Sequence, residues 1–326
     1  ICAGCSTGCN LRIDHFKGEI ERLVPRRNPE VNKSWLCDEG RMSFHALNAA
    51  PRLLRPRLQD KEVPVSWDEA LAATQAGLRA NRRPGKMPAL AALVSTSAAN
   101  ETLLLFKRYV TETFAAPLLD CRLSHEDELV DQREDSLLLR HDKHPNTRGA
   151  LLLGLTTPFG GLPYMLDRAR AGEIDAALIL YYPPLVRRED PATIEALRAL
   201  LEAAPFSVVL TTHEADWLAP ASVLLPVAAW SEEEGTYTNH AGVVQWAGRA
   251  VAPPGEARPA AVVSASLLAL SGRAPGSATP AERFRELTAA VPAYTGLVYD
   301  DLASRQASVY PPEGRLPYGQ EGFAGH

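Results

Sequence analysis

The chain has 326 residues, 46% hydrophobic and 22% charged, with a formal net charge of −5. This composition excludes a disordered or collagen-like chain, and the acidic balance argues against a nucleic-acid binder, which carries a basic face. No apolar run approaches the roughly 18 residues of a membrane span, and no signal peptide is visible.

The length suits two or three domains. The chain opens on Ile1 rather than Met, one residue before the first cysteine, which suggests a fragment or a processed chain. Residues 1–56 form the first expected unit. Leu11, Ile13 and Phe16, then Gly18, then Ile20 and Leu23 read as a β-hairpin with glycine in its turn. "PRLLRPRL" leads out of it as a proline-punctuated linker.

Residues 57–170 form a shortened α/β segment. Ser66 and Glu69 have the spacing of a capping box ahead of a helix that runs to residue 80. "ALAALVST" (89–96) is a buried strand, residues 100–115 a helix, 117–150 irregular, and 164–172 a helix. Residues 171–272 read as a Rossmann-like unit. "IDAALILYY" is a continuous apolar run of the kind a parallel strand shows when covered on both faces. A helix over 191–204 and strands over 206–212 and 221–228 follow. From 273 to 326 proline, glycine, alanine and serine thicken, and a loose C-terminal tail is expected. The fold class is therefore α/β, a small β-rich domain followed by incomplete Rossmann-like layers.

Four of the five cysteines fall within the first 37 residues. Cys2, Cys5 and Cys9 are spaced C-x2-C-x3-C, and Cys37 follows after 27 residues. Four thiolates suit a [4Fe-4S] cube, three gripping it from one loop and one closing it from a returning segment. Ala3, Gly4, Ser6, Thr7 and Gly8 are small, so backbone amides can approach the sulfurs. Structural zinc and disulfides compete, but four-cysteine zinc sites usually pair two CxxC knuckles, and disulfide scaffolds are short and cysteine-dense. Cys121 stands apart and reads as a structural thiol.

"ICAGCSTGCNL" with "VNKSWLCDEGRMSFH" resembles the Fe-S domain of the molybdopterin oxidoreductase superfamily. Within it, "CDEGR" and "HPNTRGALLLGL" (144–155) are similar to the large iron–sulfur (NuoG-type) subunits of bacterial NADH-quinone oxidoreductase, respiratory complex I. "DWLAPASVLLPVAAWSEEEGTYTNHAGVVQ" (216–245) is like a superfamily segment in which Asn239 would contact pterin. Two departures bear on this. Glu39 occupies the position where the molybdenum enzymes commonly carry Lys or Arg between cluster and pterin, and only about a hundred residues separate the cluster domain from the last α/β unit. Much of the usual pterin-binding body is absent, which puts molybdopterin in doubt.

The resemblance implies an electron-transfer subunit carrying one [4Fe-4S] cluster, with NADH oxidation and quinone reduction on partner subunits. It would sit on the cytoplasmic face of the inner membrane through those partners, with no span of its own and no nucleic acid bound. The alternative is a truncated molybdopterin-dependent oxidoreductase of formate dehydrogenase type. His15 could donate a hydrogen bond to the cluster, and Arg41 could offset its charge. "EEEGTYTNHAG" otherwise reads as a hairpin with Gly235 and Gly242 serving turns.

Overall fold

The computed structural model describes residues 1–49, 51–80, 89–115, 117–123, 134–135, 137–157, 160–186, 190–304 and 307–308. The expected hairpin forms from β1 (Leu11–Phe16) and β2 (Glu19–Pro25), paired antiparallel. Lys17 and Gly18 both take positive φ, 51° and 88°, so the two-residue turn has the twist of its flanking strands. A bulge between Asp14 and His15 bends β1. Ile20 and Leu23 turn inward onto Leu36, Phe44 and Leu47, which belong to the segment carrying the short helices α1 (Asp38–Met42) and α2 (Phe44–Ala49).

The rest of the chain is built on one six-stranded sheet. Its strands are β3 (Arg57–Leu58), β4 (Leu90–Val94), β5 (Leu118–Asp120), β6 (Ala176–Tyr181), β7 (Ser207–Thr211) and β8 (Val223–Pro226), in the order β3-β8-β7-β6-β4-β5. All neighbours run parallel except β3, which joins β8 antiparallel at the edge. β4 and β6 are hydrogen-bonded to each other from Leu90–Ala176 to Val94–Leu180. The sheet therefore draws strands from both sides of the boundary expected at 170, and the two α/β segments share one layer.

Continuous apolar runs make this possible, because alternate residues feed opposite faces. Ala176, Leu178 and Leu180 of β6 point into one core, with Leu90, Ala92 and Val94 of β4. Ala177, Ile179 and Tyr181 point into the other, with Ala91 and Leu93. Helices α3 (Trp67–Arg79) and α4 (Asn100–Thr113) cover the first face. After α5 (Thr147–Leu152), helices α6 (Gly161–Arg170) and α7 (Pro191–Ala203) cover the second. Ser66 caps α3, accepting from the Glu69 amide at 3.2 Å. α6 begins three residues before the expected start, its first turn accommodating Pro163.

A second hairpin, β9 (Gly235–Thr238) and β10 (Val243–Ala247), follows the sheet. Gly242 takes φ +83° in its turn, as expected. Gly235 does not serve a turn. It lies in β9 because a Cβ there would stand 2.7 Å from Ala99 Cβ.

The expected loose tail is corrected as far as residue 304. α8 (Ala260–Leu270) and α9 (Pro280–Ala290) pack on the first face of the sheet, and α10 (Tyr299–Ser304) follows. Phe284, Leu287 and Tyr294 are fully buried there. Their burial, at roughly 1.5–3 kcal/mol for each large side chain, supplies what the small-residue composition concealed. β11 (Ala307–Ser308) pairs with β10, and residues 309–326 of the expected tail lie outside the described residues.

Candidate iron–sulfur site

Residues 2–10 are buried without exception, although three of them are glycine or alanine and the rest cysteine or polar. A loop this polar needs partners for its backbone. Within the loop, Cys2 N–H donates to Cys9 O at 2.7 Å and Gly8 N–H to Cys5 O at 3.2 Å. Gly8 sits at φ +62°, a conformation natural to glycine.

The other partners come from far along the chain. Ser6 N–H donates to Asp142 O at 2.9 Å, and the Thr7 hydroxyl donates to Leu138 O. The tip of the β9–β10 hairpin grips the opposite side. His240 N–H donates to Ser6 O at 2.8 Å, Asn239 Nδ2 to Thr7 O at 3.0 Å, and Gln245 Nε2 to Gly8 O at 2.9 Å. Asn10 Nδ2 in turn donates to Gln245 Oε1.

Asn32 ties the loop to the segment that returns with Cys37. Its Oδ1 accepts from Asn10 N–H at 3.1 Å while its Nδ2 donates to Trp35 O at 2.8 Å. Cys37 then caps α1, its sulfur accepting from Gly40 N–H at 3.3 Å. Gly4 N–H points at Cys2 Sγ at 3.4 Å.

Gly40 marks how close the returning sulfur comes to the loop. A Cβ at this residue would stand 3.1 Å from Cys2 Sγ and 3.3 Å from Cys37 Sγ, so the two sulfurs flank one small space. The four thiols also act on one another electrostatically. Burial pushes Cys2 up to about 12, with Cys5 and Cys37 adding to the rise. Burial raises Cys9 further, with Cys2, Cys5 and Cys37 adding. Burial also raises Cys37, and Cys5, Glu39 and Asp135 reinforce it.

Among the described residues no three His, Cys, Asp or Glu side chains are arranged to hold a single metal ion. Thiolates around one zinc ion crowd to roughly 3.8 Å from each other, given a Zn–S bond of about 2.3 Å. A cube asks each thiolate to reach its own iron at a separate corner, a wider set. Four mutually felt thiols, two amides aimed at sulfur and a glycine beneath two of the sulfurs fit that wider group.

The remaining expected residues fall elsewhere. His15 is exposed near the turn end of its hairpin. At about 3.3 Å per residue it lies roughly 13 Å further along β1 than Leu11, where the cysteine loop joins the strand, so it does not reach the sulfurs. Arg41 donates its amide to Cys37 O at 2.9 Å, but the charges that act most on the Cys37 thiol are Cys5, Glu39 and Asp135. Asn239 is spent on the cysteine loop and on its own turn, its Oδ1 accepting from Ala241 and Val243 amides at 3.0 and 2.9 Å. It closes the hairpin and faces no pterin. Cys121 is buried beside the sheet, and burial raises its thiol far above the usual range. Thr7, Asn32, His240 and Gln245 escaped the sequence reading. Their signal, polar residues enclosed by apolar ones, gains meaning only when the tertiary fold brings them together.

Residues 5–45 match the family described as NADH-ubiquinone oxidoreductase NDSU1/NuoG-like, 4Fe-4S domain, and residues 144–268 match molybdopterin oxidoreductase. The chain thus joins an iron–sulfur segment to an α/β segment of molybdopterin-oxidoreductase type. The relatives are more specific. The G subunit of NADH-quinone oxidoreductase from Streptomyces coelicolor is 40% identical over 85 residues, 25% of this chain and 10% of the relative. Its counterpart in Rickettsia bellii is 37% identical over 105 residues, 32% of this chain and 15% of the relative. NADH-quinone oxidoreductase subunit 3 of Thermus thermophilus is 39% identical over 83 residues, 25% of this chain and 10% of the relative. The resemblance to these NuoG-type subunits is thus borne out over part of the chain, and the matches span a small fraction of each relative. An acetylene hydratase from Pelobacter acetylenicus overlaps 49% of this chain and 23% of its own at a TM-score of 0.34 and 16% identity, too loose a likeness to bear on the fold.

Proposed function

We propose that this chain holds one [4Fe-4S] cluster on Cys2, Cys5, Cys9 and Cys37 and carries electrons as a subunit of an NADH-quinone oxidoreductase. The observation that carries the reading is the enclosure of four mutually interacting thiols by one polar loop and one returning helix cap. When bound, such a cluster supplies a centre that takes and gives one electron.

The protein's own part is electrostatic. The Gly4 and Gly40 amides stabilise negative charge on Cys2 and Cys37. Burial of Cys2, Cys5 and Cys9 keeps water from the sulfurs, while Cys37 is the least buried of the four. Exchange with a partner subunit of the respiratory complex is shortest through that side. No helix of the described residues is long and apolar enough to cross a membrane. Attachment to the cytoplasmic face of the inner membrane would come from partner subunits, and NADH and quinone chemistry would reside on them.

The match over 144–268 favours a second reading, a truncated molybdopterin-dependent oxidoreductase. Against it, Asn239 and Gln245 are committed to the cysteine loop. No step is assigned to a pterin. Anaerobic reconstitution followed by metal and sulfide analysis tests both. Iron and sulfide near four per chain, with a reduced-state electron paramagnetic resonance (EPR) signal and neither molybdenum nor tungsten, is the expected result. Stoichiometric molybdenum would favour the second reading. Zinc in place of iron would overturn both.

A further inference from the structure

The turn between β8 and β9 carries a second buried polar group. Glu233 is 5% exposed and, among the described residues, has no hydrogen-bond partner. Two tyrosine hydroxyls share its surroundings, Tyr182 after β6 and Tyr237 on β9, and both are buried without a partner. Buried polar atoms in native proteins are nearly always satisfied, by water where protein fails. Three such groups within each other's electrostatic reach define a small chamber suited to ordered water.

The charges facing Glu233 are few. Glu101 of α4 is already satisfied, accepting from Thr236 N–H and Oγ1 at 2.8 Å each. Glu232 is neutralised by Arg52 through two contacts of 2.5 and 2.7 Å. Arg283 of α9 is the facing cation, but it donates Nε and Nη2 to the Ser277 and Ala278 carbonyls. Burial, then Glu101 and Glu232, push Glu233 up to about 8, with Arg283 opposing. Glu101 is raised to about 7 by burial, but its two Thr236 donors favour its charged form. A proton entering this pair therefore settles on Glu233.

The chamber adjoins the cysteine loop on two sides. Ala229 and Trp230, just ahead of Glu233, pack in the same core as Cys2 and Cys9. Tyr182 leads into Val186, which fills the space over Gly4 so closely that no Cβ could be added there. We propose that Glu233 is a proton acceptor linked to reduction of the neighbouring cluster, a proposal that rests on the cluster reading above. Reduction by a one-electron donor adds one negative charge to the cluster. The carboxylate then takes a proton from solvent, forming one O–H bond, so charge stays balanced locally.

The sign fixes the pH range. Below about pH 8 Glu233 is protonated in both redox states, and the midpoint potential should not depend on pH. Above it, reduction must draw in a proton, so the potential should fall as pH rises. Redox titration of the reconstituted full chain, followed by EPR from about pH 6 to about pH 10 with dithionite as reductant, tests this. The wild type should be flat and then fall, Glu233→Gln should be flat throughout, and Tyr237→Phe should fall from a higher pH. Identical profiles in wild type and Glu233→Gln would overturn the linkage. Absence of any cluster signal in the wild type would overturn the proposed function, and this inference with it. Infrared spectroscopy covers a variant that fails to take up iron. The oxidised wild type at neutral pH should show a protonated-carboxyl band that Glu233→Gln lacks, and absence of that band from the wild type overturns the proposal.

Discussion

Residues 176–181 of the central sheet and residues 2–10 of the cysteine loop are equally buried. The strand presents Ala, Leu, Ile and Tyr to hydrocarbon on both faces. The loop is wrapped in hydrogen bonds from Leu138, Asp142, Asn239, His240 and Gln245, and encloses thiols that repel one another when charged. Apolar burial is tolerant and additive. Polar burial depends on every partner being present. The sheet should therefore stand without the loop, while the loop should hold only with the sheet, the second hairpin and its iron.

Cys9→Ser is the sharpest way to break this comparison. It should abolish cluster assembly, measured as iron per chain, while leaving the main calorimetric transition of the sheet in place. Leu178→Ala tests the converse. Removing a fully buried side chain should cost about 2–5 kcal/mol in denaturant unfolding, with iron per folded chain unchanged. Asn239→Ala removes the Thr7 contact and two turn contacts. It should cost about 2 kcal/mol and slow cluster reconstitution, and wild-type reconstitution rates would contradict the clamp.

Glu233 gives the pH test. Its folded-state value is raised from 4.5 to about 8, so the folded state holds a proton that the unfolded state releases over that range. Stability should fall as pH rises through that window and level off above it. Glu233→Gln should remove the decline, a gain of roughly 1–3 kcal/mol near pH 8, read from chemical denaturation across pH. The smallest effect belongs to Thr279→Ala, which deletes the cap of α9. A loss of about 1 kcal/mol is expected, confined to the thermal transition.

The elements most legible in the sequence are those with local causes. The β1–β2 hairpin followed from alternation and Gly18, and the cysteine set from spacing. Strands β4, β6, β7 and β8 followed from apolar runs, and α7 from Pro191 at its start. α9 was legible but overlooked. Thr279, Pro280 and Glu282 form a complete capping box, hidden by the surrounding Ala, Gly and Pro. The merging of two α/β segments into one sheet was not legible, because β4 pairs with β6 across more than eighty residues. Asn239 shows the same limit at the site. Its residue type and loop context suited a ligand contact, and only the fold reveals Thr7 O as its partner.

The clamp also sets a timetable for synthesis. Thr7 and Asn239 stand 232 residues apart. At about 5–20 residues per second, a ribosome takes roughly 12–46 seconds to make that interval. Throughout it the nascent cysteines lack the hairpin that will enclose them. They emerge first and are closed in late, so a cell making this chain must shield four oxidisable thiols or fill them with iron during that delay.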